Sequence, residues 1–298
     1  MHRRGAAAAA GLLVDLVLGD PPAPWHPVGW FGTVMAEVEQ RMYRDTLGAG
    51  AIYAGVGIAV ARGAAVGCPS TAAAVATCTG GRGLTRAAHA IEERLALGDL
   101  ASARALLPSL AGRDAEHLDE AGVARAVIES VAENTVDAVV APAWWALIGG
   151  SVGTFVHRAV NTMDAMVGHR NERYRRFGCT AARLDDVAAW IPARLTAVLV
   201  ALARPAAARR VADAVRRQAP AHPSPNAGVA EAAYAAALGI RLGGTNFYGG
   251  RADHRPVFGS GPAAQARDIR RATALCRDVT MTAAALLAAP AVGSRVMR

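Results

Sequence analysis

The stretch Thr46-LGAGAIYAGVGIAVARGAAVGCPSTAAAVATCTG-Gly81 decides the fold class, because across 36 residues its only charge is Arg62. One bilayer crossing takes about 20 apolar residues. The stretch is therefore long enough for one full crossing, or for two shorter segments folded back at Gly67-Cys68-Pro69. A charge at the centre of a membrane helix costs about 2.5–3.5 kcal/mol, which puts Arg62 near an interface or against protein. Alanine-rich helices of a large soluble α-protein would explain shorter runs, but they account poorly for this one.

Outward from it, the same character recurs. Ala138 to Val156 is free of charge and contains Pro142, Trp144-Trp145 and Gly149-Gly150; 187–203 is apolar apart from Arg194, and 279–294 is a short charge-free tail. Residues 5–19 form an apolar run interrupted by Asp15, which reads as an uncleaved membrane segment rather than a secretory signal. Between them, 82–137 is helical and soluble in character, punctuated at Leu97-Gly98-Asp99 and Gly112-Arg113-Asp114. The expectation is an all-α, multi-pass membrane helical bundle, one integral-membrane domain over 1–298, with apolar segments at about 5–19, 46–81, 138–156, 187–203 and 279–294 and amphipathic helices on the cytoplasmic side.

Composition narrows the chemistry. The chain is 53% hydrophobic and 19% charged, against about 25% charge in an average soluble protein. All 32 basic residues are arginine. Without lysine there is no G-x-x-x-x-G-K-[ST] phosphate loop and no lysine Schiff base. Any phosphate falls to arginine, backbone N–H groups or a metal ion. The net charge of +8 is spread along the chain with few interleaved aromatics, which fits anionic headgroups or phosphorylated substrates better than nucleic acid. The four cysteines have neither C-x-x-C nor zinc spacing, so they read as reduced and structural.

Three segments concentrate polar side chains. In Glu129-SVAENTV-Asp137, at about 100° per residue, Glu129, Glu133 and Asp137 fall on one helical stripe flanked by Ser130 and Asn134. Stacked carboxylates repel, and Mg²⁺ takes carboxylate oxygens while sharing its shell with water and phosphates; the plainer alternative is a solvated acidic face. In Asn161-TMDAMVGHRNERYR-Arg176, a helix would align Asn161, Asp164, Gly168, Glu172 and Arg175, with arginine forks for phosphate oxygens; a basic juxtamembrane loop is the plainer alternative. Arg183-Leu184-Asp185-Asp186 adds two carboxylates. In His222-PSPNA-Gly228, Ser224 as N-cap with Pro225 at N1 opens a helix, and His222 is a base, a phosphate donor or part of the turn. Gly243-GTNFYG-Gly250 reads as a glycine-bounded loop.

With Asp15-LVLGD-Pro21, His26-Pro27-Val28, Ala159-VNTM-Asp164, Arg170-NER-Tyr174 and Leu242-Gly243-Gly244, these segments resemble, in order and spacing, the CobD/CbiB family of cobalamin biosynthesis proteins over about 15–261. One departure is Ala138, where the family has glycine. The resemblance implies a plasma-membrane enzyme, active site facing the cytoplasm, that joins a propionate of the corrinoid adenosylcobyric acid to (R)-1-aminopropan-2-ol or its O-phosphate, consuming ATP with Mg²⁺. On residue type, Glu129, Glu133, Asp137 and Asp164 are then expected at the metal. Glu133, Asp164 and His222 are expected to be catalytic. Asn134, Asn161, Arg170, Asn171, Arg173, Ser224 and Asn226 are expected at substrate or phosphate. Partners are the corrinoid and aminopropanol substrates and membrane lipid, with no nucleic acid; a homo-oligomer or docking of other pathway enzymes stays open. The rival classes are a membrane transporter, which would carry its charges inside the spans, and a Mg²⁺-dependent transferase acting on lipid-linked phosphates. ATP is cytoplasmic and 82–125 and 158–183 each hold six arginines, so both acidic motifs belong on one side. That requires 138–156 to be broken at Pro142 and Gly149-Gly150 into a re-entrant hairpin or a short buried pair of helices, and it brings the expectation that Glu133 and Asp164 lie within about 10 Å, close enough to share metal-bound phosphates.

Overall fold

The computed structural model describes residues 1–19, 26–169, 171–248 and 250–296. The helices are α1 (His2–Leu18), α2 (Pro27–Met42), α3 (Leu47–Gly67), α4 (Thr71–Cys78), α5 (Gly81–Ala96), α6 (Leu100–Leu106), α7 (Glu120–Thr135), α8 (Ala141–Val167), α9 (Cys179–Ala203), α10 (Ala208–Arg217), α11 (Ala227–Leu238) and α12 (Ala266–Val296). Strands β1 (Leu242–Tyr248) and β2 (Arg251–Phe258) lie between α11 and α12. The chain divides into two compact units: Met1–Gly80 with Asp137–Pro192 and Ala283–Arg298, and Gly81–Val136 with Ala193–Thr282.

Local chemistry sets the helix boundaries. Thr46 caps α3, its hydroxyl accepting from the Ala49 N–H at 3.2 Å; Ser70 caps α4 from Ala73 at 3.3 Å, and Asp119 caps α7 from Gly122 at 2.7 Å. The 46–81 run is one long helix and one short one, parted at Cys68-Pro69, because proline cannot continue α3. Among the described residues, four stretches are long and apolar enough to cross a membrane: Leu47–Gly67, Glu120–Val167, Cys179–Ala203 and Ala266–Ala289. Their surfaces keep large apolar side chains exposed, among them Ile52, Val66, Trp190, Val198 and Leu286. A soluble protein buries such patches, whereas lipid covers them without cost.

The first unit is built on Met35, Tyr53, Val160, Met163, Val167 and Phe177. Gly57 admits the Met163 thioether, since a methyl there would strike its sulfur. Within this unit the expected break in 138–156 is present. Gly150 has φ 64°, ψ −146° inside α8, a region open essentially to glycine alone. The chain reverses there: a side chain on Gly153 would strike the Trp145 carbonyl oxygen. The His157 Nε2 donates to the Asp137 carbonyl at 3.4 Å. In an unbroken helix, 20 residues would separate those two positions by about 30 Å. Pro142 does not share the task; it sits in the first turn of α8, where its missing N–H has no partner to lose.

Two local expectations are corrected. Gly243–Gly250 belongs to an antiparallel hairpin, Leu242 opposite Phe258 and Tyr248 opposite Arg251, with a bulge between Leu242 and Gly244; the fold is mostly helical rather than wholly so. Gly243, at φ 82°, is the bulge residue, the left-handed position that glycine fills in such bulges. Also, α11 starts at Ala227 and not at Pro225; His222-Pro223-Ser224-Pro225 spends itself on a turn in which the Ser224 hydroxyl accepts from the Asn226 and Ala227 N–H groups at 3.3 and 3.2 Å.

Two outcomes follow. The protein stays with membranes through carbonate washing and leaves only with detergent; recovery as a monodisperse protein without detergent would contradict the membrane reading. Gly150→Ala destabilises the detergent-solubilised protein by about 1–3 kcal/mol, whereas Gly149→Ala, in open space, is near neutral; thermal unfolding of the two variants separates them.

Candidate active site

In the second unit a buried charged network joins α7, α11 and the β hairpin. The Arg113 Nη1 meets Glu129 Oε2 at 2.5 Å with the two side chains only 7% and 2% exposed, and it also donates to Asn246 Oδ1 at 3.1 Å. The other Glu129 oxygen, Oε1, accepts from the Gly243 N–H at 2.7 Å. Arg125, one turn before Glu129 on α7, donates to the carbonyls of Gly243 and Thr245. Glu129, expected at a metal, therefore has both oxygens engaged by protein donors and pins the hairpin to α7. Removing one partner of such a buried pair costs about 3–5 kcal/mol, because the other charge is stranded.

Glu133, one turn further along α7, lies beside Glu231 of α11, and two neighbouring carboxylates repel unless a proton or a cation comes between them. The His222 Nε2 lies 3.6 Å from Glu231 Oε1 and accepts from Arg255 Nη1 at 3.3 Å. Burial pushes the His222 ionisation below the usual imidazole range, so the ring is neutral at pH 7; its Nδ1 lies 3.0 Å from the Ser224 N–H and 3.2 Å from the Ser224 carbonyl. Gly228 makes the approach of His222 to α11 possible, since a methyl there would strike the His222 Cβ. Asn226 accepts from Arg194 Nη1 at 3.0 Å, and Asn134 donates back to its own helix at the Ser130 carbonyl, 2.9 Å.

Asp137 leaves this company. Residues Val136–Val140 form a π turn, in which hydrogen bonds span five residues instead of four, so Asp137 falls off the stripe shared by Glu129 and Glu133. It belongs to the first unit, where Asp185 feels the like charges of Asp137, Asp164 and Asp186. Asn161 donates to Asp185 Oδ1 at 3.3 Å and accepts from Arg158 Nη1 at 3.2 Å. Among the described residues no three acidic, imidazole or thiol side chains close into a metal cage. Mg²⁺ does not ask for one: it keeps most of its water and takes one or two carboxylates together with substrate phosphates. The aspartates fit that demand.

The basic loop is largely committed to structure. Arg173 donates to Glu39 Oε1 at 3.0 Å and lies over the Tyr43 ring at 4.5 Å, while the Tyr174 hydroxyl donates to the same Glu39 oxygen at 2.8 Å. Asn171 accepts from the Tyr174 N–H at 2.9 Å within a turn. A phosphate at Arg173 would have to compete with Glu39. Arg170, also expected at phosphate, lies outside the described residues. Glu133 and Asp164 stand in different units.

Arg113, Arg125, Asn246 and Glu231 were not legible as site residues from sequence. Glu231 carried the one usable signal, a lone carboxylate in the apolar run Val229 to Leu238; Arg113 looked like helix punctuation.

Comparison with known proteins gives one consistent result. The family model described as CobD/Cbib protein matches residues 8–276. The chain is 46% identical to the cobalamin biosynthesis protein CobD of Mycobacterium tuberculosis (strain ATCC 25618 / H37Rv), covering 95% of this chain and 94% of that protein. It is 42% identical to the protein of that name from Chromobacterium violaceum, with 93% and 94% covered, and 39% identical to that from Rhodobacter capsulatus, with 89% and 90% covered. No solved structure matches. The match runs through both charged networks and the reversal at Gly150, and the chain belongs to the CobD/CbiB family of cobalamin biosynthesis proteins.

Proposed function

We propose that the chain makes the amide bond between adenosylcobyric acid and (R)-1-aminopropan-2-ol or its O-phosphate, giving adenosylcobinamide or its phosphate, with ATP consumed and Mg²⁺ required. The observation that carries this reading is the gathering of Asp137, Asp164, Asp185 and Asp186 in the first unit, on elements that meet only because the chain turns back at Gly150. Carboxylates gathered this way relieve their repulsion by holding a proton or by sharing a cation, and Mg²⁺ with ATP phosphates is the cation that suits carboxylates and water.

A carboxylate is a poor acyl donor, so an oxygen of the corrinoid propionate first takes the terminal phosphoryl group of ATP, giving an acyl phosphate and ADP. The amine then displaces phosphate, and its surplus proton passes to a base. Bound Mg²⁺ offsets the charge of the phosphates during transfer. Asp164 and its aspartate neighbours would hold it, with Asp137 within the same group. Glu133, beside Glu231, and the neutral His222 are proposed to receive a proton. Asn134, Asn161, Asn171, Ser224 and Asn226 stay proposed as substrate contacts, in addition to the local bonds they already make, and Arg170 as a phosphate contact. The arginines of 82–125 and 158–183 favour a cytoplasmic site in the plasma membrane, where ATP is found.

Purified protein in proteoliposomes, given the corrinoid acid, the amine, Mg²⁺ and ATP, is expected to form amide and ADP together. Glu133→Gln and Asp164→Asn keep shape and lose charge; each is expected to cut turnover by about 100-fold or more with membrane insertion intact. Near-wild-type turnover of either variant at low Mg²⁺ would remove that residue from the site, and no amide from the wild type would remove the reaction itself.

A further inference from the structure

The first unit contains a cavity of about 230 Å³ between α2, α3, α4 and α8 that the proposed chemistry does not use. Trp30, Phe31, Val34, Ala61 and Phe155 supply apolar walls, and Arg158 is the charged side chain on its lining. The Arg158 Nη1 is bonded to Asn161 at 3.2 Å, but its Nε is buried with no hydrogen-bond partner among the described residues. A buried donor left unpaired costs about 1–3 kcal/mol, so an occupant that brought an acceptor to this guanidinium would be favoured. The rim faces outward through large apolar side chains: Trp30 is 54% exposed and Val34 46%. Val60, also on the lining, belongs to α3, one of the stretches able to cross a membrane. An exposed tryptophan beside a membrane helix marks headgroup depth.

The occupant must therefore be apolar over most of its length, anionic at one end and able to enter from the bilayer. A nucleotide is too polar for these walls. A corrin is too large, since pockets that enclose even drug-sized ligands run about 300–1,000 Å³. One acyl chain with a phosphate at its head meets every condition. We propose that this cavity binds a single anionic phospholipid, one acyl chain in the apolar volume and a headgroup phosphate oxygen on Arg158. The site would tie the enzyme to anionic membrane through Arg158, which reaches Asp185 by way of Asn161.

The test is native mass spectrometry of the full chain released from nanodiscs of mixed phosphatidylglycerol and phosphatidylcholine. The wild type is expected to retain one phosphatidylglycerol, enriched about tenfold over the bulk ratio, the scale of one charge-assisted hydrogen bond. Arg158→Gln is expected to lose the enrichment, and Ala61→Trp, which fills the cavity, to lose the bound lipid while eluting as a folded protein. Retention of the two lipids at the bulk ratio by the wild type overturns the proposal without need of any variant. Displacement of the lipid by inorganic phosphate alone would show a bare anion site and overturn it too, as would unchanged lipid retention in Ala61→Trp.

Discussion

The backbone reversal at Gly150 is the constraint on which the first unit depends. It takes a 19-residue charge-free run, long enough in composition to cross a bilayer, and returns it to where it began, so that the imidazole of His157 reaches the carbonyl of Asp137. Non-helical backbone at membrane depth survives only where protein covers it, and here the reversal is covered: Arg4 donates to the Ile148 carbonyl, and Thr71 and Arg4 lie over Gly150 itself. With the two ends of the run side by side, Asp137 can stand with Asp164 and the α9 aspartates. A straight segment would have parted them by the thickness of the run.

The second unit solves a different problem, how to keep charge inside an apolar protein. Its answer is arginine. A guanidinium presents five donors in a fixed fork and stays charged under any condition the protein meets, so Arg113 can serve Glu129 and Asn246 together while Arg125 binds two hairpin carbonyls. Lysine, a single hydrated point charge that loses its proton readily on burial, could not do this, and the chain has none. Among the described residues no guanidinium is bonded to the neighbouring Glu133 and Glu231. The arginine-held part of the network fixes the hairpin to α7.

How much of this could be read from the residues depends on whether the signal was local. The break in 138–156 was legible because Pro142, Gly149 and Gly150 interrupt an apolar run and because two acidic motifs had to share a side; that Gly150 alone makes the turn was not. Asp137 was grouped with Glu129 and Glu133 because a helical wheel assumes constant pitch, and the π turn at Val136–Val140 changes it. The hairpin was read as a loop since its glycines and polar residues mask the alternation that marks a strand. Arg173 looked free for phosphate because its partner, Glu39, is 134 residues away, and no local pattern reports such a pairing.

The most direct test of a same-side reversal is topological. In a cysteine-free background, Glu116→Cys and Glu172→Cys, both at exposed positions, would be labelled separately with a membrane-impermeant maleimide in right-side-out and inside-out vesicles. If 138–156 turns back as the Gly150 geometry requires, both cysteines react from the cytoplasmic face and neither from the other. Labelling of the two from opposite faces would show a straight crossing between the acidic motifs and contradict the reversal.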